Sequence, residues 1–386
     1  MNEHQVPFHL PEIGEEEIQS VAETLRSGWL TTGQKTHQFE QEFARVVGAT
    51  QAVATNSGTA ALHLALEAVG VREGDEVILP TMTFAATAEV VSYLKAKPVL
   101  VDSEPDTLNM DPEAVRRAMT SRTRAIMPVH FAGHPCNMDR LMSLATEHGL
   151  KVVEDAAHAL PAVDHARTVG GIGDITCFSF YATKAITTGE GGMATTHHAP
   201  YAERMRSMSL HGITKDAWSR YAGNGSWYYE IREPGFKYNL TDIAASIGIE
   251  QLRKCQRFWK ARCRIAAAYN DAFKDMPELQ LPLCRSGYEH AWHLYVIQLN
   301  PDRLRITRDD LIEGLKKEEI GTSVHFMPLH MHPHYRETYG YRADDFPHAR
   351  SAFERIVSLP IYSRMSPEDT QRVIDVVRSL VMQYRR

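Results

Sequence analysis

Lys184 stands in the run Cys177-Phe-Ser-Phe-Tyr-Ala-Thr-Lys184-Ala-Ile-Thr-Thr-Gly-Glu-Gly-Gly192, where a short apolar strand gives way to a lysine and then to a glycine-rich turn. Most lysines are solvated, protonated and chemically idle. One set at a strand end among aromatic and small residues can lose its proton and attack a carbonyl. Upstream, Glu154-Asp155-Ala156-Ala157-His158 puts a carboxylate at the end of an apolar run. Such a carboxylate is costly to bury unless a cation or hydrogen bonds satisfy it, and a protonated pyridine nitrogen is one such cation. His158, a short turn further on, can reach the phenolic oxygen of the same ring; a core histidine bonded to backbone is the plainer alternative. Asp155 has its own plain alternative, as a helix cap.

Earlier in the chain, Ser57-Gly58-Thr59-Ala60 follows a short strand and opens a helix. Its N–H groups lie at the positive end of the helix dipole, which suits a phosphate, although a capped helix start alone has the same appearance. Ser179 alternates with Phe178 and Phe180, so its hydroxyl faces away from both rings and can donate to that phosphate. Phe84, in Thr81-Met-Thr-Phe84-Ala-Ala-Thr87, can stack on a pyridine ring or belong to the core. Lysine, carboxylate and glycine turn together read as a site for pyridoxal phosphate (PLP), with Lys184 as its Schiff-base lysine.

These residues need rigid elements to hold them. Helical spacing over 12–27 and 34–47 brackets the break Gly28-Trp29-Leu30-Thr31-Thr32-Gly33. Strands are expected at 50–54, 76–80, 98–102, 125–130, 151–155, 175–180 and 192–196, with helices at 58–70, 84–95, 111–119 and 138–148 between them. Such alternation builds a mainly parallel sheet covered on both faces, with ligands at the carboxyl ends of its strands. Residues 213–236 read as an irregular excursion holding Trp218, Tyr221, Trp227, Tyr228 and Tyr229, suited to closing over a substrate. A long helix from 239 to about 274 follows. Then come a strand at 291–299, a helix at 307–318, a strand at 321–325 and a last helix over 366–383. The expected organisation is α/β: a large domain over 1–245, and a connecting helix with a smaller α+β domain over 246–386.

With 386 residues the chain is long enough for two such domains, and a formal net charge of −6 gives no global attraction to nucleic acid or an anionic membrane. The 19 histidines are scattered rather than gathered into a ligand tract, so no metal is expected. The five cysteines, Cys136, Cys177, Cys255, Cys263 and Cys284, are odd in number and lack CxxC spacing. They read as reduced thiols of a cytoplasmic protein. The N-terminal residues lack the basic and apolar regions of a secretory signal, and no stretch approaches the roughly 18 apolar residues of a membrane span.

The chain resembles the DegT/DnrJ/EryC1/StrS nucleotide-sugar aminotransferases, which are fold type I PLP enzymes. The shared stretches are Ser27-Gly-Trp-Leu-Thr-Thr-Gly33, Asn56-Ser-Gly-Thr-Ala-Ala-Leu-His-Leu-Ala-Leu66, Pro128-Val-His130, Glu154-Asp-Ala-Ala-His-Ala159, Phe178-Ser-Phe180 through Lys184, Gly189-Glu-Gly-Gly192 and Lys237-Tyr-Asn-Leu-Thr-Asp-Ile243. The likeness is weaker from there to the end. It implies that Lys184 bears the cofactor and shuttles protons, that Asp155 pairs with the pyridinium, and that His158 sits where the family has Gln or His. Phe84 stacks on the ring, and Gly58, Thr59 and Ser179 hold the phosphate. Asn239 reaches the phosphate of the neighbouring subunit's cofactor, which makes the active unit a homodimer. Trp29 and His325 match positions near the sugar-nucleotide.

The implied reaction is ping-pong transfer of an amino group from glutamate to a nucleotide-linked keto sugar. Trp-Leu-Thr-Thr-Gly, the Asp-Ala-Ala-His form and Ile-Thr-Thr-Gly-Glu-Gly-Gly look most like enzymes that aminate carbon 4 of UDP-4-keto sugars in 4-amino-arabinose and pseudaminic acid pathways. Tyr181 departs from this pattern, standing where those relatives often carry His. Leu160-Pro-Ala-Val-Asp-His-Ala-Arg167 also replaces their usual turn. The alternatives are a sugar dehydratase of the same fold, in which a histidine replaces the lysine, and a non-catalytic PLP-binding regulator.

Overall fold

The computed structural model describes residues 5–213 and 228–386. Trp218, Tyr221 and Trp227 of the expected excursion lie outside the described residues. Helices α1 (Glu15–Ser27) and α2 (Gln34–Val47) come first. The first starts later than its spacing predicts, because Gly14 is extended and three glutamates then fill the positive first turn.

Seven strands form the main sheet: β1 (Gln51–Thr55), β2 (Glu76–Pro80), β3 (Lys97–Val101), β4 (Thr123–Ile126), β5 (Lys151–Asp155), β8 (Ile175–Ser179) and β9 (Gly192–Thr196). Helices α3 (Gly58–Ala68), α4 (Ala85–Tyr93), α5 (Pro112–Ala118) and α6 (Met138–His148) connect the earlier strands. The strand order is β1-β9-β8-β5-β4-β2-β3. Only β9 runs against the rest, pairing antiparallel with β1 on one side and β8 on the other. The carboxyl ends of β1, β2, β5 and β8 therefore share one edge with the start of β9. Register sets their neighbours on that edge. Asp155 pairs with Cys177, and Gly192 lies between Thr55 and Ser179. Strands such as β2, buried at every position, read as continuous apolar runs, as interior parallel strands do.

Between β5 and β8, the segment that departs from the usual turn forms a hairpin, β6 (Val163–Asp164) and β7 (Arg167–Thr168). Its two turn residues, His165 and Ala166, both have positive φ, 47° and 71°, which matches the twist of a two-residue hairpin. After β9 comes α7 (Ala199–Ser209), then the long helix α8 (Asp242–Phe273). The first half of α8 packs Ala245, Ile249 and Phe258 under the main sheet. Its second half gives Ile265, Tyr269 and Phe273 to a separate core. That core also holds the sheet β10 (Leu279–Gln280), β12 (Tyr295–Leu299) and β13 (Ile356–Leu359), together with α9 (Arg308–Lys317) and the final helix (Pro367–Gln383). A short strand, β11 (Tyr288–Glu289), pairs with β6.

The strand expected at 291–299 begins only at Tyr295, because Trp292 takes a φ of 51° and interrupts the extended backbone. The strand expected at 321–325 is reduced to a single bridge from Ser323 to Ser358 of β13. Two short helices, Pro333–Tyr339 and Pro347–Phe353, lie between α9 and β13. No described helix is long and apolar enough to cross a membrane.

Candidate active site

A cavity of about 390 Å³ opens at the shared strand edge. Gly58, Thr59, Phe84, Asp155, His158, Ser179, Lys184 and His325 all line it. Trp29 and Asn239 do not.

The helix start at Ser57 is built for close approach. Ser57 is extended, and its Oγ accepts from the Ala60 N–H at 3.0 Å. A Cβ on Gly58 would lie 2.9 Å from Ser179 Cβ, and one on Gly192 would lie 2.4 Å from the Ser57 carbonyl oxygen. Both positions demand glycine for space, so the α3 turn is wedged between the ends of β8 and β9. The first N–H groups of α3 have no partner within the helix, and they open beside Ser179.

Asp155 is 6% exposed at the end of β5. One carboxylate oxygen accepts from the Thr87 hydroxyl at 2.9 Å, and the other from the Ala157 N–H at 3.1 Å. Because Thr87 donates to Asp155, its oxygen accepts from Thr83, 2.7 Å away. Burial pushes the Asp155 carboxyl above the usual range, while these hydrogen bonds and the charge of Lys184 pull it down. The Lys184 ammonium is pushed down to about 8 by burial, opposed by the charge of Asp155. A lysine in that range supplies free amine near neutral pH.

Imidazoles crowd the other wall. The rings of His158 and His293 lie 4.3 Å apart, and Phe326 stacks on His158 at 5.9 Å. Burial holds both histidines well below the ordinary value, aided by the charge of Lys184. Among the described residues, the Nδ1 atoms of both are buried without a hydrogen-bond partner. His325 Nδ1 meets Ser358 Oγ at 2.9 Å, and burial pushes that histidine down to about 4.

One consequence is a pH-dependent stability. Between about 6.5 and 4 the unfolded chain protonates His325 and the folded chain does not. The unfolded state then binds more protons, so stability falls as the pH drops through this window, by at most about 1.4 kcal/mol per pH unit from this residue. Denaturant unfolding at pH 7 and pH 5 should show a drop that is smaller in His325→Gln. An equal drop in both proteins would contradict the assignment.

Trp29 and Asn239 meet through Thr32, with Asn239 bridged to Thr55 at the end of β1. Trp29 Nε1 donates to the Thr32 carbonyl at 3.2 Å, and Asn239 Nδ2 donates to the Thr32 hydroxyl at 2.7 Å. Lys237 Nζ donates to Asn239 Oδ1 at 2.7 Å. Asp242 anchors the same loop by accepting from the Gly33 and Thr36 N–H groups, at 2.8 and 2.9 Å.

In the sequence, Ser57 reads only as the start of the helix-opening turn and Tyr181 only as a departure, and no role is assigned to Thr83, Thr87, Glu190, His293 or Phe326. All but Thr87 line the cavity. The threonines carried a readable signal, two hydroxyls one helical turn apart next to Phe84. His293 and Phe326 carried none, since tertiary folding alone brings them to β5 and β8.

A lysine after β8, a buried carboxylate closing β5 and a glycine-opened helix after β1, all on one edge of a mainly parallel sheet, define a fold type I PLP enzyme. Residues 11–378 match the DegT/DnrJ/EryC1/StrS aminotransferase family, and the chain belongs to that family. It is 50% identical over 379 residues to the spore coat polysaccharide biosynthesis protein SpsC of Bacillus subtilis (strain 168), covering 98% of this chain and 97% of SpsC. Among solved structures it resembles Spr1654 of Streptococcus pneumoniae, assigned to the sugar aminotransferases, in its PLP form. That match has TM-score 0.91 and 33% identity, covering 98% of this chain and 99% of that chain. Helicobacter pylori PseC, an aminotransferase involved in the biosynthesis of pseudoaminic acid, superposes with TM-score 0.91 at 26% identity, covering 98% of this chain and all of PseC. The chain is thus a PLP-dependent sugar aminotransferase. The residues present fit the cofactor. The cavity has a cradle in which a Cβ would clash, a buried carboxylate with few donors, and an orphaned imidazole nitrogen.

Proposed function

We propose that this enzyme transfers an amino group from glutamate to carbon 4 of a UDP-linked 4-keto sugar by a ping-pong mechanism. Bound PLP supplies an electron sink and carries the amino group between the two substrates. Asp155 holds a proton on the ring nitrogen, the role for which a buried carboxylate short of donors is suited. Lys184 Nζ carries the cofactor and, once released, moves protons at the reacting carbon; burial beside Asp155 keeps it near the pH at which it can both take and give a proton. His158 would reach the ring's phenolic oxygen, and Phe84 would cover the ring face. The N–H groups of Gly58 and Thr59, with the Ser179 hydroxyl, would hold its phosphate.

Asn239 and Trp29 serve the neighbouring subunit in a homodimer, a reading supported by neither of them lining the cavity of their own chain. The UDP-4-keto-sugar substrate rests on the likeness to PseC and on the motifs at Trp29, His158 and Gly189. The name of SpsC supports a place in polysaccharide synthesis. The enzyme works in the cytoplasm, where its thiols stay reduced.

The single observation that carries this reading is Lys184 and Asp155 facing one cavity beside a glycine-built anion cradle. Retention of Lys184 favours transamination over the dehydratase reading. The test is transfer of nitrogen from isotopically labelled glutamate, followed by mass spectrometry of the sugar-nucleotide product. Labelled amino sugar from a UDP-4-keto sugar is expected. Label moving only from another donor, or only to another class of acceptor, would overturn the assignment. Gly192→Ala should also weaken PLP binding more than about tenfold, because a Cβ there would drive into the Ser57 peptide. Fluorescence titration of the unloaded protein checks this, and unchanged affinity would remove Gly192 from the cradle.

A further inference from the structure

The residues before the family-matched region cross the site. Val6 is fully buried; its N–H donates to the Glu319 carbonyl at 3.0 Å, and its carbonyl accepts from the Gly321 N–H at 2.8 Å. The chain then lays the Phe8 ring on His325, with centroids 5.6 Å apart and planes 25° from parallel. Next, His9 Nε2 donates to the Ala182 carbonyl at 3.0 Å. Ala182 lies in the turn closed by the Lys184 N–H donating to the Tyr181 carbonyl at 2.9 Å. His9 also sets its ring edge-on to Tyr362, 6.3 Å away in the segment that follows β13. A strap of four residues thus ties the segment that carries His325 to the turn that carries Lys184. The family match begins only at residue 11.

We propose that Phe8 and His9 are positioning residues of this site: His9 fixes the Ala182 carbonyl and so the turn that holds Lys184, while Phe8 fixes the ring of His325. The inference rests on Lys184 and His325 serving the reaction as set out above. Neither strap residue lines the cavity, so each acts through the residue it holds. Burial pushes His9 down to about 4, aided by the charges of Arg262 and Lys184. At neutral pH its ring is therefore uncharged, and Nε2 keeps the single proton that the Ala182 carbonyl requires.

The test uses the full chain with His9→Ala, His9→Gln and Phe8→Ala. Hydrogen exchange, measured without cofactor or substrate, should be about tenfold faster over residues 181–189 in His9→Ala, the loss of one hydrogen bond. Exchange over 151–155 should not change, and glutamine, which places an amide donor at similar reach, should restore protection. In the loaded enzyme His9→Ala should lower kcat about tenfold and leave the KM for glutamate within about twofold, as misplacement of a catalytic group does. Phe8→Ala should leave exchange at 181–189 unchanged and raise the KM for the keto sugar about fivefold.

Wild-type exchange at 181–189 in His9→Ala, exchange rising equally over 151–155, or failure of glutamine to restore protection would overturn the role of His9. An unchanged KM in Phe8→Ala would overturn that of Phe8. Failure of the proposed function would instead appear in the wild-type enzyme, leaving the exchange comparison intact.

Discussion

Lys184→Ala should abolish turnover, by on the order of 10⁴-fold or more, while the chain still folds. The size follows from the lysine's two tasks, bearing the cofactor and moving the proton, either of which alone is worth several orders of magnitude. The fold should survive because burial works against the protonated form of Lys184, opposed by the charge of Asp155. Removing a buried ammonium relieves its desolvation cost but takes from Asp155 a charge that favours its ionised form. The two effects oppose each other, so the melting temperature should change little. Parallel measurement of the amino-transfer half-reaction and of thermal unfolding checks both parts. Residual turnover within about a hundredfold of wild type would show that another group carries the proton. Loss of folding would show that Lys184 holds the turn rather than serving it.

Asp155→Asn should keep the fold and part of the cofactor affinity but lose roughly 10²–10³-fold in rate, the scale of removing one charged stabilising group. The amide has one acceptor oxygen for two existing donors, Thr87 and Ala157. If that oxygen keeps the Ala157 N–H, the new NH₂ faces the Thr87 hydroxyl, which can turn to accept it. The substitution is therefore tolerable in the core. The negative charge that keeps a ring nitrogen protonated is lost, however, and with it the electron-withdrawing power of the bound ring. Single-turnover rates with glutamate, compared at equal cofactor loading, measure this. Near-normal rates would remove Asp155 from the role assigned to it.

The sequence carried the site where one short segment holds both a residue and its support. Asp155 closes an apolar run that is β5 as spaced, and Lys184 follows the Phe-Ser-Phe strand. Gly58 opens a helix behind a short strand, and all three reach the same cavity. It was silent where distant segments meet. His293 reads as one position in an alternating strand, but it lies before β12, next to the left-handed backbone at Trp292, and its ring sits beside His158. Phe326 reaches the wall by packing against the main-sheet core, and Ser358 of β13 touches His325 from behind, which no local pattern announces. The short helices beginning at Pro333 and Pro347 are seven residues each, too brief to show a period of 3.6. The strand expected at 321–325 failed for a related reason: its alternation is real, but its backbone partners are Val6 and one bridge to Ser358 rather than a full neighbouring strand. Trp29 and Asn239 show a different limit. The resemblance assigned them to a shared site, and a single chain displays only the loop that joins them.

The most direct test of the central claim is the absorption spectrum of the PLP-loaded protein as glutamate is added, followed by UDP-4-keto sugars one at a time. The account predicts that glutamate bleaches the cofactor's near-visible band and releases 2-oxoglutarate, and that one keto sugar restores the band. No bleaching by glutamate, with the band unmoved by any keto sugar, would contradict it.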